Sequence, residues 1–130
     1  MLVLLLALGC TGGDDTATPT DPSIVLVQPA EGSVVCGTPL DVVTEVVGIE
    51  LVQPYEDPAD ALPGTGHVDV SLNGQDAAMG GEEALQIEGV EDGEYQLKVE
   101  LSNADHTPVE PYAGDLVYIT VLADACGAAR

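Results

Sequence analysis

The chain has 130 residues and is strongly acidic, with 23 Asp and Glu against two Lys and Arg and a formal net charge of −21. A surface this negative repels nucleic acid and anionic lipid, which excludes a nucleic-acid-binding function. The acidic residues either keep the protein soluble or attract cations, although no segment matches the Asp-x-Asp-x-Asp-Gly calcium loop.

With four Tyr and no Phe or Trp, the core must be built from Val, Leu and Ile, which favours β-strands.

The chain opens with an apolar run over residues 2–8, which is at the lower length limit for the apolar region of a signal peptide and far shorter than a membrane span of roughly 20 residues. The sequence ALGC at 7–10 resembles a bacterial lipobox, in which small residues precede an invariant cysteine. The resemblance implies a signal peptide over 1–9 and a lipidated Cys10 as the mature N-terminus. The chain departs from the pattern in having no Lys or Arg before the apolar run, which a start codon upstream of Met1 would explain. The alternative is an N-terminal strand or helix that ends in a free thiol.

Residues 10–22 contain no large apolar residue after the cysteine and consist mainly of Thr, Gly, Asp and Pro. Such a segment cannot bury enough apolar surface to fold, so we predict a flexible tether. Each buried acyl methylene contributes about 0.8 kcal/mol, so several chains on Cys10 would anchor the protein to the membrane. By resemblance to Gram-negative lipoproteins, Thr11 after the cysteine implies the outer membrane. We therefore expect a lipid-anchored bacterial cell-envelope protein, on the periplasmic or the surface face.

Residues 23–126 are predicted to form one domain, followed by a tail over 127–130. Short apolar runs alternate with turn signals at a spacing typical of a β-sandwich. We predict strands over residues 24–28, 40–47, 67–72, 84–88, 94–102 and 115–122, with a long acidic, Pro-rich connection over 48–66. Asn73-Gly74 predicts a tight turn after the third of these strands.

The predicted strand over 94–102 alternates, with Tyr95, Leu97, Val99 and Leu101 facing inward. It begins within VEDGEYQLKVEL, which resembles the start of strand F in immunoglobulin-like domains, where an acid and a glycine precede the conserved tyrosine of the tyrosine corner. Gly93 and Tyr95 match that spacing, with Glu91 or Asp92 as the acid; Tyr95 is equally compatible with a plain core position. The resemblance implies an all-β fold, an Ig-like β-sandwich of about seven strands.

Further segments resemble a group of mostly uncharacterised bacterial Ig-like domains. The matching residues are Pro29, Glu31, Gly32 and Val35; Gly66, His67, Asn73 and Gly74; Asp92, Gly93, Tyr95 and Leu97; and Asn103 and His106. The resemblance covers most of residues 23–122 and implies the fold and a cell-envelope setting, with no established activity.

Two cysteines remain if Cys10 is lipidated. In an Ig-like strand order Cys36 lies at the turn between the first two strands and Cys126 just past the last strand, so both fall at the same end of the domain. Because an exported protein enters an oxidising compartment, we predict a Cys36–Cys126 disulfide. The alternative is a pair of metal-binding thiolates, for which no other ligand lies nearby in sequence.

The chain has two histidines, in GTGHVDVSL and SNADHTPVEP. In the same strand order His67 begins one strand and His106 follows its antiparallel neighbour, so both lie at the other end of the domain. Asp69 shares the strand face of His67, and Asp105 adjoins His106. Two imidazoles with a carboxylate suit Zn²⁺ or Cu²⁺, so these four residues are the predicted metal ligands. The alternatives are that each histidine pins a loop by donating to a carbonyl, or binds another ligand.

No catalytic motif is present: the chain lacks a Gly-x-Ser-x-Gly elbow, His-Glu-x-x-His, a phosphate-binding glycine loop with Lys, and Cys-x-x-Cys. We therefore predict a binding or structural module rather than an enzyme, without a cofactor unless the histidines bind metal. Tyr55 and Tyr112 lie in Pro-rich loops, where tyrosine is favoured at interfaces. They indicate either a recognition surface for an envelope protein or glycan, or plain loop packing.

Overall fold

The computed structural model describes residues 21–54 and 63–126. The predicted signal peptide, Cys10, most of the tether, Tyr55 and the tail over 127–130 lie outside the described residues. The described part contains β1 (Ser23–Gln28), β2 (Val34–Val35), β3 (Leu40–Val47), β4 (Glu50–Leu51), β5 (Thr65–Leu72), β6 (Gln75–Gly80), β7 (Ala84–Ile87), β8 (Gly93–Asn103), β9 (Gly114–Val121) and a 3₁₀ helix (Ala123–Ala125). None of the helical structure in this part of the chain is long and apolar enough to cross a membrane.

The strands form two sheets that pack as a β-sandwich, which confirms the predicted fold class. One sheet has three strands in the order β1-β3-β7, and the other has six, in the order β2-β9-β8-β5-β4 with β6 also paired to β5. The pairs are antiparallel except β2 with β9 and β4 with β5. The six-stranded sheet thus has one face toward the core and one outer face.

The core is aliphatic, as the composition predicts. On β8, Leu97 and Val99 are fully buried and Leu101 is 1% exposed. They lie in register with Leu72, Val70 and Val68 of β5, because residues that face each other across antiparallel strands point to the same side of the sheet. The alternation predicted for the strand over 94–102 is therefore correct, and β5 alternates in the same way.

The tyrosine corner is also present. The Tyr95 hydroxyl donates a 2.8 Å hydrogen bond to the backbone carbonyl of Glu91, and the Tyr95 side chain packs against the core. Both interpretations of this residue hold, since it fixes the entry to β8 and contributes to the apolar interior.

Three strands were not predicted, namely the two-residue β2 and β4 and the six-residue β6. β4 lies inside the segment predicted as a connection. β6 returns from the predicted turn, in which Asn73 and Gly74 have φ of 52° and 85°. Its sequence, QDAAMG, contains no β-branched or aromatic residue, so propensity gives no strand signal there; pairing with β5 sets its conformation.

Cys36 and Cys126 form a disulfide, with their Cα atoms 4.6 Å apart, as predicted. β2 runs parallel to β9, which places Val35 opposite Val121, and the Leu122 amide donates to the Val35 carbonyl at 3.0 Å. Each cysteine follows this paired segment closely, so the strand pairing brings the two sulfurs together at one end of the sandwich.

Candidate functional site

The candidate site lies on the outer face of the six-stranded sheet, at the first residues of β5. His67 points to this face because its neighbour Val68 points into the core. His67 is nevertheless fully buried, at 0% exposure. The segment after β8 turns back over this end of β5: the Ala104 amide donates to the Thr65 carbonyl at 2.9 Å, and the His106 ring centroid lies 5.1 Å from that of His67. The predicted meeting of the two histidines is therefore observed.

Asp69 lies two residues after His67 on the same face, with a side chain that is 28% exposed. Its Oδ1 is 3.3 Å from His67 Nε2, and its Oδ2 accepts a 2.5 Å hydrogen bond from the hydroxyl of Ser102. Ser102 reaches the carboxylate because it pairs with His67 in the β5–β8 register. The carboxylate thus lies between an imidazole and a hydroxyl group.

The contact between His67 and Asp69 is close but is not an aligned hydrogen bond. Among the described residues, neither ring nitrogen of His67 nor Oδ1 of Asp69 has a hydrogen-bond partner, and all three atoms are buried. Within the described residues, His67 therefore donates to no loop carbonyl. Buried polar atoms are nearly always paired. A cluster of three buried polar atoms without a hydrogen-bond partner is therefore an unusual feature of this position.

The pKa of Asp69 is lowered from its usual value. Burial raises this pKa, but the close contact with His67, the hydrogen bond from Ser102 and the electrostatic effect of the two imidazoles together outweigh burial. Asp69 is therefore an ionised carboxylate at neutral pH.

A tight turn holds His106. The His106 amide donates to the Asn103 carbonyl at 2.8 Å, and the Asn103 amide donates to the Thr107 carbonyl at 2.7 Å. His106 has a φ of 72°, in the left-handed region where His is more common than most residues with a side chain. The turn therefore presents an exposed imidazole above a buried one.

The carboxylate of Asp105 is used within the same turn. Its Oδ1 accepts hydrogen bonds from the Thr107 hydroxyl at 2.6 Å and the Thr107 amide at 3.1 Å. These hydrogen bonds lower the pKa of Asp105. Of the four predicted metal ligands, the structure thus brings His67, Asp69 and His106 together, whereas Asp105 is engaged with Thr107.

Ser102 was not predicted as a site residue. Together with His67 and Asp69 it supplies the residue types of a hydrolytic triad, but the connections differ. A nucleophilic serine needs the imidazole as its base, whereas the hydroxyl of Ser102 donates to the carboxylate of Asp69. The arrangement is therefore not that of a serine hydrolase.

The outer face of the same sheet also carries exposed side chains near the middle of β8 and β9. Tyr112, which precedes β9, is 59% exposed, and its hydroxyl donates to Glu100 Oε2 at 2.7 Å. Partial burial and the Glu100 carboxylate raise the pKa of Tyr112 to about 12. Leu116 and Tyr118 are 42% and 54% exposed on the same face. Tyr112 thus lies on an exposed surface, as the recognition hypothesis requires.

No protein-family model and no curated protein matches the chain. Among solved structures, the chain is similar to the fibronectin(III)-like modules of Clostridium thermocellum CbhA, with a TM-score of 0.52 and 14% identity over 77% of this chain and 96% of that one. The fold is an Ig-like β-sandwich. The PKD domain of human KIAA0319 is also similar, with a TM-score of 0.44 and 14% identity over 80% of this chain and 83% of that one.

Proposed function

We propose that the chain is a lipid-anchored Ig-like module of a bacterial cell envelope, with a binding or structural role and no catalysis. The observation that carries the proposal is the Cys36–Cys126 disulfide. Disulfides persist in exported proteins and are rare in the cytosol, so the bond supports the export that the lipobox-like sequence at Cys10 implies. β1 begins at Ser23, directly after the tether. That position suits a domain held away from a membrane.

The exposed outer face supports a binding role. Tyr112 and Tyr118 lie on the same side of the six-stranded sheet and are each more than half exposed. Tyrosine is enriched in interfaces because a rigid apolar ring carries a polar group. The partner in this proposal is an envelope protein or a glycan, and the membrane is contacted through the lipid on Cys10.

The anchoring is tested by expressing the full chain in a Gram-negative host and measuring the intact mass of the membrane-associated product. We expect cleavage before Cys10 and the added mass of acyl chains on that residue. In the Cys10→Ala variant the signal peptide should remain attached and the acyl mass should be absent. A soluble, uncleaved wild-type chain with a free Cys10 thiol would contradict the proposal.

The binding role is tested in the same cells by cross-linking. The wild-type chain is compared with a Tyr112→Ala/Tyr118→Ala variant, after circular dichroism has shown that both are folded. Loss of a cross-linked species in the variant supports recognition through this face. Identical cross-linked species in the two proteins would remove the tyrosine face from the proposal.

A further inference from the structure

We infer that His67, Asp69 and His106 form a binding site for one Zn²⁺ ion on the outer face of β5. This inference goes beyond the proposed anchoring and does not depend on it. The proposed ligands differ from those predicted from the sequence, because Asp105 is left out. Ser102 is not a ligand; it orients the carboxylate of Asp69. The site combines two imidazoles with one carboxylate, a ligand set typical of zinc.

The distance between His67 and Asp69 matches the spacing of two ligands on one zinc ion. Two atoms bound to one tetrahedral zinc ion at about 2.0–2.1 Å lie about 3.3–3.4 Å apart. His67 Nε2 and Asp69 Oδ1 are 3.3 Å apart, and neither atom has a hydrogen-bond partner among the described residues. The two atoms are therefore spaced as neighbouring ligands of one ion.

The separation of the two imidazole rings is close to that of two imidazoles bound to one zinc ion. The centroid of a zinc-bound imidazole lies about 3.2 Å from the ion, so two such rings on a tetrahedral ion have centroids about 5.2 Å apart. The centroids of His67 and His106 are 5.1 Å apart, with ring planes inclined at 58°. The turn after β8 thus brings the two rings to a separation near that of two imidazoles on one ion, before the rotation of His106 that has to bring one of its nitrogens to the ion.

The hydrogen bond from Ser102 orients the Asp69 carboxylate as a metal ligand requires. Ligating carboxylates are usually hydrogen-bonded through groups that fix their orientation. Ser102 does this, since its hydroxyl donates to Oδ2 and leaves Oδ1 facing His67.

One side chain has to move for the site to close. Within residues 21–54 and 63–126, no group of three or more His, Cys, Asp or Glu side chains is already arranged to hold a metal ion. His67 is fully buried, whereas His106 is exposed. Zinc binding requires the His106 side chain to rotate until a ring nitrogen reaches the ion, and a water molecule would complete the tetrahedral set.

The test is a calorimetric titration of the full chain with Zn²⁺. All samples carry Cys10→Ser, so that an unmodified thiol does not contribute. We expect one ion per chain with a dissociation constant of about 1 μM or lower. Removing a ligand by Asp69→Asn or His106→Asn should weaken binding by at least about 100-fold, and Ser102→Ala by about 10- to 100-fold. Asp105→Asn is the matched control and should bind as tightly as the parent chain.

The variants are chosen so that folding is preserved. His106 is exposed, and Asn tolerates the positive φ at this position; circular dichroism verifies the fold of each variant. Absence of saturable one-to-one binding would overturn the site and leave His67 and Asp69 as neighbours that bind no metal. Equal binding by the parent, Asp69→Asn and His106→Asn would assign the ion to the acidic surface and would also overturn it. Ca²⁺ that competes with Zn²⁺ at equal affinity would argue against imidazole ligands.

Discussion

Gly114 lies directly beneath the phenol of Tyr112, so closely that a Cβ added to Gly114 would overlap the phenolic oxygen. The absence of a side chain lets the Tyr112 ring lie against β9, where its hydroxyl reaches Glu100 Oε2 at 2.7 Å. Glu100 faces Gly114 across the β8–β9 pair. One glycine therefore sets both the orientation of an exposed aromatic ring and its hydrogen bond.

We expect Gly114→Ala to displace the Tyr112 ring and break its hydrogen bond to Glu100. The pKa of Tyr112, about 12 in the wild type, should then fall toward its usual value of 10.0. A spectrophotometric titration of the tyrosines measures this change. Glu100→Gln is the comparison, since it removes the carboxylate without adding a Cβ and should also lower the pKa. A Tyr112 pKa unchanged by both substitutions would contradict this account.

The same pKa makes the stability depend on pH in the alkaline range. The folded protein keeps the Tyr112 proton up to about pH 12, whereas the unfolded chain releases it near pH 10.0. The contribution of Tyr112 is therefore complete below pH 10.0 and is lost as the pH rises through about 12. The loss is small because Tyr112 is 59% exposed and water screens its interaction with Glu100.

Urea unfolding at about pH 9 and about pH 11.5 measures this loss. The wild-type free energy of unfolding should fall more between these conditions than that of Tyr112→Phe, which has no phenolic proton to release. Equal losses in the two proteins would show that Tyr112 does not titrate differently in the folded and unfolded states.

The features that could be predicted from the sequence are those whose signal is local or follows from strand order. Alternation along β8 identified Leu97, Val99 and Leu101 as core residues, and the Asn73-Gly74 pair identified the turn. The cysteine pairing followed from their places in an Ig-like strand order. In each case the pattern needs no knowledge of which residues face each other across two strands.

The candidate site could not be predicted in this way, because it depends on which residues face each other across β5 and β8. Ser102 reaches Asp69 only because of the register between β5 and β8, which a one-strand pattern does not encode. The burial of His67 depends on the segment after β8 turning back over β5. Asp105 differs, since its partner Thr107 lies two residues along the chain; Asp-x-Thr is a local turn signal that would have predicted this contact.

Two leucines on paired strands test the division between core and outer face. Leu97 on β8 is fully buried, whereas Leu116 on β9 is 42% exposed. Leu97→Ala should lower the free energy of unfolding by about 2–5 kcal/mol, because it removes buried methyl groups and leaves a cavity. Leu116→Ala should change it by less than about 0.5 kcal/mol. Urea denaturation of the three proteins measures both values, and similar losses would contradict the assigned faces.

The disulfide should contribute strongly to stability, because it closes a long loop. Cys36 and Cys126 are 90 positions apart, for which the chain-entropy model gives about 4–5 kcal/mol and removal of native disulfides typically costs about 2–5 kcal/mol. We therefore expect Cys36→Ser/Cys126→Ser to unfold at lower urea concentration than the parent, with both chains carrying Cys10→Ser.

A reducing agent provides the matched control for that comparison. It should lower the unfolding midpoint of the parent to that of the double variant and leave the variant unchanged. The paired strands β2 and β9 remain available in both proteins, so the difference isolates the covalent bond from the hydrogen bonds beside it. If reduction left the parent's midpoint unchanged, the strand pairing alone would suffice to hold this end of the sandwich, and the disulfide would add little to the free energy of unfolding.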